Sequence, residues 1–205
     1  MTYDKLAPEN TVKTTVTALN SKGYETYVLK DRQAALNKII ELIPHGASVM
    51  NGSSITLEQI GFVEYLKSGK HGWKNLHELI LAEKDEDKQA NLRKQSVLSD
   101  FYLGSVHALT ENGEFIIASN TGSQLPHIVF TSPNLIFVVS TKKIVANLTE
   151  AMERLEKYII PLENKRMLTK YGMGTSLNKI VIFKNENQML KRKVFFVLVQ
   201  EDLGF

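Results

Sequence analysis

Two spacings of apolar residues alternate along the first hundred positions. Val12, Val16 and Leu19 lie three to four apart within residues 9–22, a helical period that Gly23 is placed to end. Residues 24–29 (YETYVL) then read as a short strand. Asp31 is a candidate cap for a helix whose apolar face is Ala35, Leu36, Ile39, Ile40 and Ile43. Pro44-His45-Gly46 breaks that helix, and Ala47 to Met50 is again a short apolar strand. Strand, helix and strand in this order are the mark of a parallel α/β sheet.

The same reading continues through the second half. Thr56 and Gln59 are spaced as a capping box for a helix that carries Leu57, Ile60, Val63 and Leu66 inward. Residues 70–100 show the weakest pattern. Their charged run Glu83 to Lys88 has no apolar face and fits a solvated helix surface or a linker, with Leu92, Val97 and Leu98 regaining the core. Phe101–Val106 and Glu114–Ser119 read as strands, and Asn112-Gly113 between them is a strong hairpin signal. Residues 135–139 (LIFVV) are apolar throughout, as expected of a strand covered on both faces. Asn147 and Glu150 are spaced as a second capping box, before a helix with Leu148, Ala151, Met152, Leu155 and Ile159 on one side. Pro161 interrupts that helix, residues 162–171 resume it, and strands 179–183 and 194–199 close the pattern. The fold class is therefore α/β: a mostly parallel, open, Rossmann-like sheet with flanking helices, plus a β-hairpin around residues 101–119. Residues 1–205 read as one domain, with 70–100 as a charged, partly peripheral segment.

Composition narrows the chemistry. The chain has no cysteine, so it cannot itself hold thiolate zinc or an iron–sulfur cluster, or supply a Cys nucleophile. The five histidines form no i, i+4 pair, and no metal site is expected. No Gly-x-Ser-x-Gly elbow and no GxGxxG fingerprint occur. A net charge of +3, with lysines and arginines scattered among acids, points away from a nucleic-acid surface. No apolar run approaches the ~20 residues of a spanning helix, and the N-terminus lacks a signal-peptide pattern. A cytoplasmic protein without a membrane partner is expected; self-association into a homo-oligomer is left open.

Two small polar loops remain as candidate sites. Residues 51–56 (NGSSIT) lie between a strand and a helix, where open α/β sheets bind ligands and where free N–H groups can meet an anion. Residues 119–124 (SNTGSQ) occupy a similar position. If both face one another across the carboxyl edge of one sheet, Gly52, Ser53, Ser54, Thr56, Asn120, Thr121, Gly122, Ser123 and Gln124 would converge on a small acidic ligand. Glu111, at the hairpin tip, reads either as a solvated carboxylate or as a nucleophile or general base.

The stretches ENG (111–113), ASNTGSQLP (118–126), IFVVST (136–141) and KKIV (142–145) resemble the LUD domain, or lactate-utilisation, family, in particular its short C-type members. Residues 51–61, Pro161-Leu162-Glu163-Asn164 and Ser176 to Ile180 are similar to further stretches of that family, in the same order. The resemblance implies a fold related to ribose-5-phosphate isomerase, glucosamine-phosphate deaminase and coenzyme A transferases. It also implies a part in oxidising L-lactate to pyruvate with redox partner proteins, which would carry any iron–sulfur clusters. Thr110-Glu111-Asn112-Gly113 is similar to the Ser-Glu-Asn-Gly motif of the coenzyme A transferases, whose Glu attacks the acyl-CoA, but it continues into Glu114-Phe115. A thioester enzyme using Glu111, and a non-catalytic assembly or regulatory subunit, are the alternatives.

Overall fold

The computed structural model describes residues 3–205. In chain order the elements are α1 (Glu9–Ser21), β1 (Glu25–Leu29), α2 (Arg32–Leu42), β2 (Ser48–Asn51), α3 (Ile55–Gln59), α4 (Phe62–Lys67), β3 (Lys74–Asn75), α5 (Leu76–Ala82) and α6 (Glu86–Gln95). They continue with β4 (Phe101–Gly104), β5 (Ala108–Thr110), β6 (Phe115–Ser119), β7 (Asn134–Ser140), β8 (Ile144–Val145), α7 (Leu148–Arg154), α8 (Ile160–Tyr171), β9 (Lys179–Phe183) and β10 (Lys193–Val199).

Six strands form a sheet in the order β1-β10-β7-β4-β2-β3, and every pairing in it is parallel. Four shorter strands form a second sheet, β8-β5-β6-β9, in which only β5 and β8 run parallel. The alternation of side chains along a strand explains the layers. Phe195, Val197 and Val199 of β10 point into one core with Ala35, Ile39, Leu57 and Phe62. Val194, Phe196 and Leu198 point the other way, to Val12 and Leu19 of α1 and to Leu109, Phe115 and Ile117 of the second sheet. On the far side of that sheet, Ala108, Ile116 and Ala118 meet Ala151, Leu155 and Ile159. Central strands β7 and β10 are covered on both faces, which is why their sequences are unbroken apolar runs.

Local chemistry sets several boundaries. The Asp31 carboxylate accepts the Ala34 N–H (2.9 Å) and starts α2. Asn147 accepts the Glu150 N–H (3.0 Å), while Glu150 reaches back to the Ala146 N–H (2.9 Å), completing a cap for α7. The helix then runs through a π-helical stretch, Leu155–Ile159, into α8, so Pro161 falls in the first turn of α8 and does not interrupt it.

Three expectations are corrected. The hairpin joins β5 to β6 rather than residues 101–106 to 114–119, because β4 pairs in the large sheet with β2 and β7. The helix after residue 54 is capped by Ser54, which accepts the Leu57 N–H (3.3 Å), and not by a Thr56–Gln59 box. That helix is also split at Gly61, whose left-handed backbone separates α3 from α4. Residues 70–100 are more ordered than their pattern suggests: they form β3, α5 and α6. Trp73 is buried and donates its indole N–H to Ile43 O (3.1 Å), whereas α6 buries nothing and Leu98 is exposed.

At the hairpin tip, Gly113 has φ +74° and donates to Thr110 O (2.8 Å). A Cβ there would lie 3.2 Å from both Ala18 C and Leu19 N of α1. Gly113→Ala therefore combines a left-handed backbone with a clash against helix backbone, and a loss of about 1–3 kcal/mol is expected in urea unfolding; an unchanged midpoint would show that the tip is not packed on α1.

Candidate functional site

The two sheets diverge at one end, and the gap between them is a cavity of about 450 Å³. On one side it is walled by loops leaving the carboxyl ends of neighbouring parallel strands: 52–56 after β2, 105–107 after β4, and Lys143 beyond β7. On the other it is walled by residues 118–121, 123 and 124, at and after the end of β6 of the small sheet, and by α8 with residues 175–177. The two polar loops thus border one cavity, but they face each other across two sheets rather than along the edge of one.

Gly52, Ser53, Ser54, Thr56, Asn120, Thr121, Ser123 and Gln124 all line this cavity. Gly52 is required by close approach, since a Cβ there would sit 2.4 Å from the Tyr102 hydroxyl and 3.1 Å from Gln124 Oε1. Several of the other side chains hold the loops in shape. Ser119 Oγ accepts the Gly122 N–H (2.9 Å), the Gln124 amide donates to Ala118 O (3.0 Å), and the Asn178 amide donates to Asn120 Oδ1 (2.6 Å). Gly122 does not line the cavity; it turns its loop with φ +89°, against the Lys179 side chain. Glu111 stands apart as well. It lines an open depression on α1 with Lys13, Thr14 and Thr17, and its N–H donates to Val145 O (2.9 Å).

The pattern of small polar residues gave no hint of Lys143. The chain leaves β7 through a 3₁₀ turn, Thr141–Lys143, where the Ser140 hydroxyl accepts the Lys142 N–H (3.4 Å) and donates to Glu201 O (2.6 Å). It then enters β8, pairing Ile144 with Leu109. Crossing between sheets within so few residues buries both lysines. Lys142 reaches an ion pair with Asp202 and donates to Gly204 O (2.7 Å). Lys143, 4% exposed, has no carboxylate. Its Nζ lies 3.1 Å from Thr56 Oγ1, 3.0 Å from Ser105 Oγ and 3.3 Å from Val106 O. Burial pushes its ammonium well below the usual lysine range, and the charges of Arg154 and Lys142 add to this. Gly204 closes over it: a Cβ there would fall 2.3 Å from Thr56 Oγ1 and 2.9 Å from Lys143 Nζ. Two adjacent lysines placed between the apolar run 135–139 and Ile144-Val145 were the available sequence signal.

His107 borders the same cavity. Its Nδ1 accepts the Ala118 N–H (3.1 Å), which leaves Nε2 to carry the proton of the neutral ring. Burial, with Lys143 and Arg154 nearby, pushes its pKa down to about 3. Arg154, fully buried, donates to His107 O (2.5 Å) and lies over the rings of Tyr158 and Tyr3. Among the described residues Glu163 is the one acidic side chain lining the cavity, and Arg166 grips both of its oxygens at 2.7 and 2.6 Å.

Elsewhere, the His127 ring stacks on Tyr102 (4.6 Å), and its Nδ1 lies 3.2 Å from the hydroxyls of Ser99 and Ser132. None of the three lines the cavity, so this is a satisfied core histidine. Among the described residues, no three His, Asp or Glu side chains gather as a metal site, and no helix is long and apolar enough to cross a membrane.

Two stability predictions follow from these burials. Desolvation pushes His127 down to about 4 and His107 to about 3, whereas both take a proton near 6.5 when unfolded. The unfolded state then binds more protons as pH falls below about 6.5, so stability present above that value is lost downward through 4 and 3. Between pH 6 and 4 each histidine should contribute a fall of up to ~1.4 kcal/mol per pH unit. Urea melts across this range should show it, with His127→Gln removing one share of the slope. Lys143→Met should raise stability by about 0.5–2 kcal/mol, because it removes a buried, desolvated amine that has no carboxylate partner among the described residues. A lower thermal midpoint would mean that Lys143 is a structural clamp.

The family model described as LUD domain matches residues 12–182. Among solved structures, the chain is similar to a protein described as a DUF162 family protein from Deinococcus radiodurans. The TM-score is 0.57 at 10% identity, covering 95% of this chain and 99% of that one. At that identity the likeness speaks for the fold alone. A search of curated proteins finds no match.

Proposed function

Because the chain belongs to the LUD domain family, which is associated with lactate utilisation, we propose that it serves that process by binding a small carboxylate or phosphate-bearing acid in the cavity between its two sheets. One observation supports this reading: the described side chains lining the cavity are rich in donors, and the one acidic side chain among them, Glu163, is already held by Arg166. Hydroxyls of Ser53, Ser105 and Ser119, amides of Asn120 and Gln124, and the Lys143 amine offer hydrogen bonds. An anion brought there meets several donors, and the one acidic side chain is already paired.

In this reading the chain works beside redox proteins in the oxidation of lactate to pyruvate, and those partners carry any iron–sulfur clusters. The thioester alternative requires Glu111 at the ligand, and Glu111 lines a different surface, against α1. The acid-binding reading therefore does not pass through Glu111.

Calorimetry with lactate, pyruvate, inorganic phosphate and acetyl-CoA tests the proposal. At least one of the small acids should bind with a Kd on the order of 1 mM or tighter, about 4 kcal/mol. Ser53 is exposed and lines the cavity, so Ser53→Trp should fill the opening with little effect on folding. Binding should weaken at least ~10-fold, or ~1.4 kcal/mol. Equal affinity in wild type and variant would move the ligand elsewhere, and silence toward every small acid would favour a non-catalytic assembly subunit.

A further inference from the structure

We propose that Lys143 is a Schiff-base nucleophile and that the acid taken by the cavity bears an aldehyde or ketone carbonyl. This rests on the acid-binding reading of the same cavity and names the substrate class within it.

A lysine that merely braces a fold lies at the surface or against a carboxylate. Its neighbour Lys142 does this through Asp202. Lys143 is buried at the cavity wall, its Nζ surrounded by two hydroxyls and one carbonyl oxygen, with Arg154 and Lys142 as the nearby charges. Desolvation beside other cations is the environment that leaves an amine unprotonated and nucleophilic. The neutral amine also fits its contacts. Val106 O can accept only, so it takes one N–H, while Thr56 and Ser105 hydroxyls can each donate or accept. With two N–H groups given to Val106 O and one hydroxyl, the other hydroxyl donates to the Nζ lone pair and turns away to release it for attack.

The chemistry balances without any oxidant or reductant. The Nζ lone pair attacks the carbonyl carbon, a C–N bond forms, and one proton passes from Nζ to the former carbonyl oxygen to give a carbinolamine. The C–O bond then breaks, the oxygen takes a second proton from solvent and leaves as water, and the nitrogen lone pair closes the C=N bond of an iminium cation. Addition of water reverses the sequence. Thr56 and Ser105 hydroxyls, in contact with Nζ, can pass the protons. His107, whose Nε2 carries the proton, is a neutral donor in the same cavity for the carbonyl oxygen as it gains charge. The carboxylate or phosphate of the ligand meets the donors of loops 51–56 and 119–124, and its negative charge stabilises the iminium. The iminium in turn withdraws electrons from the adjacent carbon and makes its protons exchangeable.

The test incubates the intact protein with pyruvate or glyoxylate and cyanoborohydride, then maps the modified peptide by mass spectrometry. The expected product is one reduced adduct per chain, on Lys143, lost in Lys143→Arg and Lys143→Met, both checked for folding by circular dichroism. Deuterium exchange at the pyruvate methyl group should be faster with wild type than with either variant by 10-fold or more. Modification spread over surface lysines, or none, would overturn the proposal. A parallel calorimetric titration with lactate, which has no carbonyl, separates the two readings. Lactate binding without an adduct sinks the nucleophile and leaves the acid site standing. Loss of both removes the site altogether.

Discussion

The passage of the chain from one sheet to the other at residues 140–145 is the constraint around which the site forms. β7 is the inner strand of the large sheet, and β8 is the edge strand of the small one, so the connection has to cross the protein interior. A buried connection must satisfy its own backbone groups. Ser140 does part of this with one hydroxyl, by capping the 3₁₀ turn and holding Glu201 O. The crossing leaves two lysines with almost no access to solvent. They resolve the burial in different ways. Lys142 reaches out to Asp202 at the rim, and Lys143 turns to hydroxyls around the cavity.

That arrangement links fold to function. Parallel strands β2, β4 and β7 are neighbours, so the loops at their carboxyl ends necessarily converge. The small sheet, packed through Phe115 and Ile117 on the large one, brings the loop after β6 to the opposite wall. Close packing makes the glycines of this region specific in their effects. A methyl group at Gly52 meets Tyr102 and Gln124, and one at Gly204 meets Thr56 and Lys143. A buried amine without a counter-ion costs stability, and such a cost is commonly retained where function requires it.

What the sequence revealed follows the range of the forces involved. Caps at Asp31 and Asn147 depend on residues three positions away, and both were legible. The tip at Asn112-Gly113 was legible for the same reason. Strand β7 announced its burial on both faces by being apolar throughout. The strand opposite β6 was not legible, because a choice between residues 101–104 and 108–110 is decided by partners from distant parts of the chain: β2 and β7 claim the former. Thr56 had the spacing of a cap, but its hydroxyl is engaged by Lys143, 87 positions later, and Ser54 takes the helix end. The small polar loops were found because loops of that composition are conspicuous. Their meeting across two sheets rather than one belongs to topology.

Glu111 and Lys143 show how a candidate residue can be weighed. Glu111 attracted notice through its position beside Asn-Gly, yet that dipeptide serves to turn the chain against α1, and the carboxylate follows the turn outward. Lys143 follows Ser140, Thr141 and Lys142 and precedes Ile144 and Val145, and the fold buries it, so its side chain had to be either paired or costly. A charge set between two apolar segments breaks the pattern that those segments establish. Such a break needs an explanation more than a charge in a polar loop does, since solvent accounts for the latter. Lys142 and Lys143, between the strand read at 135–139 and Ile144-Val145, make that break twice, and the structure pairs one lysine with a carboxylate while leaving the other to the cavity. The residue that violates its local pattern without finding an acid is the stronger candidate for chemistry.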